Sequence, residues 1–114
     1  MSEKIFRNIE ILRELSSCSS YRRKKILQDL PADTLRALTE IAVNVLQGNL
    51  PLSSGQKTSL KRHKEKIQLL ARVKGSFKKK KDFLVQKGGF LPHLLKPALQ
   101  VLTTVAGTVI ANSL

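Results

Sequence analysis

Apolar residues recur at intervals of three and four along most of the chain, the spacing that lines one face of an α-helix. Ile5, Phe6, Ile9, Leu12 and Leu15 form the first such stripe, with Ser2 placed to cap it, and predict a helix over 3–15. Ser16-Ser17-Cys18-Ser19-Ser20 reads as a linker that ends in a helix cap. A short helix over 21–29 would turn Ile26, Leu27 and Leu30 inward and leave Arg22, Arg23, Lys24 and Lys25 outside. Pro31 suits the first turn of a third helix. Its stripe of Leu35, Leu38, Ile41, Ala42, Val45 and Leu46 runs to the stop signals Gly48 and Asn49. Ser53 with Gln56 three residues on fits a capping box. It predicts a fourth helix as far as Val73, with Leu60, Ile67, Leu70 and Ala71 inward. Gly75 breaks that helix, Ser76 can cap the next, and a short fifth helix covers 77–86.

Gly88-Gly89 reads as a hinge. Beyond it Leu91, Leu94, Leu95, Leu99, Leu102, Val105, Val109 and Ile110 keep helical spacing despite Pro92 and Pro97. The stretch 101–110 is rich in Val, Thr and Ile, so a strand also suits it. The whole pattern predicts an all-α fold: a small helical bundle, a basic short helix and an apolar C-terminal helix.

Composition turns this outline towards binding. The chain has 114 residues, enough for one small domain with an appendage. Its formal charge of +13 is uneven. Residues 1–50, an N-terminal helical module, hold eight basic and six acidic side chains, a balance of +2. Residues 51–87 hold twelve basic and two acidic, a balance of +10, and residues 88–114 hold Lys96 alone. A basic stretch this poorly compensated points to a polyanion, because Lys and Arg neutralise phosphates and release counterions without choosing a sequence. Lys57, Lys61, Arg62, Lys64, Lys66, Arg72, Lys74, Lys78, Lys79, Lys80, Lys81 and Lys87 are the candidate phosphate contacts. Lys57, Lys61 and Lys64 share one helical face. Lys78 to Lys81 surround their helix and are expected in solvent or on polyanion. No base-reading motif is visible, and Phe77, Phe83 and Phe90 read as core or interface anchors.

Little points to chemistry. Cys18 is a lone cysteine, His63 sits among lysines that should keep it neutral, and His93 lacks a second ligand. No phosphate loop, carboxylate pair or nucleophile elbow is present, so no catalytic residue, metal or cofactor is expected. No secretory signal opens the chain. From Ala98 to Leu114 there is no charge, but this is shorter than the roughly 20 apolar residues of a membrane span. The tail suits lying on an anionic membrane, self-association or packing against a partner protein, or completing the core against the preceding helices. Leu91, Leu94, Leu95, Leu99, Leu102, Val105 and Val109 are the candidate contacts.

Two resemblances follow from particular residues. A basic run, then Gly88-Gly89-Phe90-Leu91-Pro92, Leu94-Leu95, Pro97 and a small-residue apolar tail resembles the core protein X (mu) precursors of adenoviruses. Leu46, Gly48, Asn49, Pro51 and Leu52, then Ser76 to Lys81, then Gln86 to Pro92, are similar to a pattern in proteins of Maverick/Polinton elements and adintoviruses. The resemblance implies a virion core protein that condenses or packages double-stranded DNA, acting in the virion and the host nucleus. It also implies a viral maturation protease cutting between Gly89 and Phe90, after the Gly88-Gly89 pair. Gln86 stands where the adenovirus site has Met, Ile or Leu, lysine replaces arginine, and the helices before Gly48 have no adenovirus counterpart. The alternative is a minor virion protein that acts on membrane or docks on capsid protein through its apolar C-terminal helix.

Overall fold

The computed structural model describes residues 3–72 and 76–113, with side chains described as far as Leu102. Helices α1 (Glu3–Arg7), α2 (Ile9–Ser17), α3 (Ser20–Gln28), α4 (Ala32–Leu46), α5 (Ser54–Lys61), α6 (Lys64–Ala71), α7 (Phe77–Lys87) and α8 (Leu91–Ser113) follow in order, and a 3-10 turn (Gly88–Phe90) joins the last two. The fold is all-α. No strand occurs among the described residues, and 101–110 is helical.

Local chemistry places most of the boundaries. Ser19 Oγ accepts the Arg22 N–H at 3.2 Å, and Ser76 Oγ accepts the Lys79 N–H at 3.1 Å. Ser53 and Gln56 complete the capping box: Gln56 N–H donates to Ser53 Oγ at 3.2 Å and Ser53 N–H to Gln56 Oε1 at 2.8 Å. At the end of α4, Gly48 takes φ +73°, which a side chain would resist. The Gly48 N–H then reaches Val45 O at 3.2 Å and the Asn49 N–H reaches Asn44 O at 3.0 Å, satisfying the last carbonyls in a Schellman arrangement. Pro31 stands at the N-cap of α4, one residue earlier than expected. The proposed Ser2 cap, and the Val73 and Gly75 positions, lie outside the described residues.

Two expected helices are each divided, and in both cases tertiary contacts explain the division. The first breaks at Asn8, whose side chain is almost fully buried. Its Oδ1 accepts the buried Thr34 hydroxyl at 2.7 Å, and its Nδ2 donates to Lys4 O at 2.8 Å and to Asp33 Oδ2 at 2.9 Å. The turn at Asn8 thereby pins α1 to the start of α4. It also leaves Phe6, expected on the inner stripe, 54% exposed. Asn8→Ala should cost about 1–3 kcal/mol in urea denaturation, because the Thr34 hydroxyl stays buried without its acceptor. Adding Thr34→Val should restore part of that loss; a double variant losing the full sum of both single effects would count against this account.

The fourth helix breaks at Arg62-His63, where the His63 N–H makes a tight bond to Leu60 O at 3.0 Å. The bend lets α5 stay on α8 while α6 packs along α4. Leu60, Ile67 and Leu70 are buried and Ala71 is partly so, as the stripe predicts.

The three charge zones share one core. Ile5, Leu12, Leu15, Leu27, Leu38 and Ile41 from the N-terminal half, Leu60, Ile67, Leu70 and Leu84 from the basic middle, and Leu94, Leu95 and Ala98 from α8 belong to a single buried cluster. The most extensive packing is of α8 against α2. This corrects the reading of the tail as an outward contact surface. Leu91, Leu94, Leu95, Leu99 and Leu102 are all buried. The side chains of Val105 and Val109 lie outside the description. The physical reason is area: these large apolar side chains gain about 1.5–3 kcal/mol each when fully covered, and α2 offers the covering face. The glycine pair expected as a hinge forms the 3-10 turn, with Gly88 buried. A Cβ on Gly88 would stand 3.1 Å from Leu27 Cδ1, so Gly88 serves close packing, while Gly89 is exposed with open space where a Cβ would stand.

Candidate nucleic-acid interface

The basic side chains divide by their place on the helices. On α5 and α6, and just beyond them, Lys57, Lys61, Arg62, Lys64 and Arg72 are exposed, whereas Lys66 is half-buried. Lys74 lies outside the described residues. On α7, Lys78, Lys79 and Lys87 are exposed, but Lys80 and Lys81 are half-buried. The run of four lysines therefore does not surround its helix with free charge. Leu84 is the fully buried residue of α7, and Lys80 and Lys81 precede it by four and three residues, on the same face. Their aliphatic stems cover the core edge. Lys80 Nζ donates to Thr39 Oγ1 on α4 at 3.3 Å, and burial pushes its ammonium pKa below the ordinary lysine value.

Helix α3 adds cations that the sequence zones leave unassigned. It packs antiparallel to α7: Gln28 adjoins Phe77 and Lys78, while Arg23 Nε lies 4.0 Å from where a Gly88 Cβ would stand. Lys24 and Lys25, both exposed, lie one turn back from Gln28 on this helix, with Lys25 Nζ 5.0 Å from the Tyr21 ring centre. The signal was present as Arg22 to Lys25, but the balanced charge of residues 1–50 masked it.

Among the described residues, ion pairs join Arg7 to Glu3 and Asp33, and Arg22 to Glu14 at 2.7 Å, all in the N-terminal half. The exposed cations of α5, α6 and α7 have no described carboxylate within 4.0 Å. Their charge is open to an external anion.

The aromatic residues separate in the same way. Phe90 is buried and Phe83 half-buried, with ring centroids 5.9 Å apart, so both anchor the core as expected. Phe77 is 42% exposed, with Lys81 Nζ 5.8 Å from its ring centre. Cys18, half-buried, closes the end of α2.

The two histidines, thirty residues apart in sequence, are stacked by the fold. The His63 and His93 rings lie 4.9 Å apart at 21°, joining the bend before α6 to α8. Burial lowers the His63 pKa, and His93, Lys66 and Arg62 lower it further. The unfolded imidazole takes a proton near its ordinary value of 6.5, while the folded one resists it. The contribution to stability is therefore whole above pH 6.5 and shrinks as pH falls below it. The thermal midpoint should fall from about pH 7 to about pH 5, and His63→Gln should flatten that fall. Equal slopes for the two proteins would contradict the assignment. Asp33, held below the usual carboxylate range by the Asn8 and Arg7 hydrogen bonds, adds acid sensitivity only below its ordinary value of 3.8.

The bond between Gly89 and Phe90, expected as a processing site, lies within the 3-10 turn beside the buried Phe90 ring. A protease that binds its substrate extended would have to unwind this turn first.

Comparison with protein-family models, with curated proteins and with solved structures finds no match to this chain.

Proposed function

We propose that this chain is a non-sequence-specific DNA-binding protein that condenses or packages the double-stranded DNA of a virus or virus-like element. The observation that carries the reading is the exposure of Lys57, Lys61, Arg62, Lys64, Arg72, Lys78, Lys79 and Lys87 with no described carboxylate pairing them. Such groups meet phosphates, whose spacing is regular along any duplex, and they carry no information about base identity. The cations stand on and beside α5, α6 and α7, and in this proposal one molecule contacts more than one duplex segment. Bridging of that kind is what condensation requires.

The alternative through the C-terminal helix needs Leu91, Leu94, Leu95, Leu99 and Leu102 outward, and these are buried. No described helix is long and apolar enough to cross a membrane.

Fluorescence anisotropy with two duplexes of unrelated sequence in dilute buffer tests the proposal. Similar affinities for both are expected. Absence of binding, or strong preference for one duplex, would reject it.

A further inference from the structure

The end of α4, the connector after it and helices α5 and α6 enclose a groove of about 290 Å³. Its walls are apolar, with Leu46, Leu52, Leu60 and Ile67 among them, and Lys57, Lys61 and Lys64 also line it. Leu46 is 40% exposed, a large apolar side chain left in water at this groove. The lysines stand four and three residues apart along the chain, and the bend at Arg62-His63 keeps all three on the same groove.

We propose that this groove docks an acidic amphipathic helix of a partner protein. Charge complementarity selects an anionic occupant, because the three lysines supply the only charged side chains among the groove's lining residues. The apolar walls select an occupant with large apolar side chains, which a phosphate backbone lacks. A single-headed amphiphile offers one anionic group to three ammonium groups. A helix with apolar residues at i, i+3 or i+4 and i+7, edged by Asp or Glu, offers several carboxylates along one flank, where Lys57, Lys61 and Lys64 offer several ammonium groups. The lysine stems would cover the flanks of the docked helix while their ammonium groups meet its carboxylates. This surface is separate from the DNA-binding proposal in what it demands: Leu46 has no part in phosphate contact.

The test uses the full chain and a fluorescein-labelled synthetic peptide, helical in solution, with leucines on one stripe and glutamates along its edges. A peptide of the same composition in scrambled order, unable to form that stripe, is the control, and anionic phospholipid vesicles are a third probe. The patterned peptide should bind at least about ten-fold more tightly than the scrambled one at physiological salt. Leu46→Gln, which adds no charge beside the lysines, should remove that difference and leave duplex-DNA affinity unchanged. Lys61→Glu should weaken the patterned peptide; circular dichroism checks that both variants keep the fold. Equal binding of the two peptides, or a patterned-peptide affinity unaltered by Leu46→Gln, would overturn the proposal. Vesicle binding that depends on Leu46, without selective peptide binding, would also overturn it in favour of lipid. Peptide docking that survives in a protein unable to bind DNA would support the groove and reject the packaging function alone.

Discussion

Affinity for duplex DNA should fall by about three orders of magnitude as salt rises from about 50 mM to about 200 mM. The magnitude follows from counterion release, in which each phosphate contact contributes a slope of about −0.9 to log affinity against log salt. Eight exposed cations are described on and beside α5, α6 and α7, and engaging about six of them gives a slope near −5. The structure refines which residues matter. Lys78→Gln with Lys79→Gln should flatten the slope by about 2 units, one phosphate contact for each residue. Lys80→Gln should change it less, because its ammonium already meets the Thr39 hydroxyl and its stem lies against the core edge. Lys24→Gln and Lys25→Gln should also flatten the slope, since both are exposed on α3, which packs against α7. Anisotropy titrations at several salt concentrations measure all of these. A slope near zero, or a Lys80 effect equal to that of Lys79, would defeat this picture of the interface.

A chain ended at Gly89 should lose cooperative folding. Phe90, Leu91, Leu94, Leu95, Leu99 and Leu102 are all buried and all lie beyond that point. At about 1.5–3 kcal/mol for each buried side chain, their removal withdraws about 9–18 kcal/mol of apolar burial. The net stability of a domain is only about 5–15 kcal/mol, so the remainder cannot hold Leu12 and Leu15 covered. Leu94→Ala alone should cost about 2–5 kcal/mol, because the side chain is enclosed and a cavity remains. Thermal melts followed by circular dichroism distinguish the outcomes. A truncated protein that melts as sharply, and at the same temperature, as the full chain would show that α8 is dispensable to the core. The same packing bears on processing. Cutting between Gly89 and Phe90 would separate two parts of one core, so the fragments would stay associated or unfold together.

Much of the helical outline was legible in the sequence. Capping chemistry is local: Ser53 with Gln56, Ser76 and the Gly48-Asn49 stop each act within a few residues, and each is found in place, while the serine run supplies its cap at Ser19, one residue before its expected end. The breaks at Asn8 and Arg62-His63 were not legible, because neither carries Gly or Pro. They exist to satisfy partners far along the chain, Thr34 in one case and the α4 and α8 surfaces in the other. The histidine stack was not legible for the same reason, its rings being thirty residues apart in sequence. The groove escaped because Leu46 and the three lysines belong to different helices on either side of a connector.

By itself the sequence determined the helical period, the caps and the surplus of positive charge, since each follows from the spacing and type of neighbouring residues. Only the tertiary structure decided which lysines face water, that the apolar tail completes the core against α2, and that the glycine pair is a packed turn. Those outcomes depend on which surfaces cover one another, and covering is a property of residues brought together from distant parts of the chain.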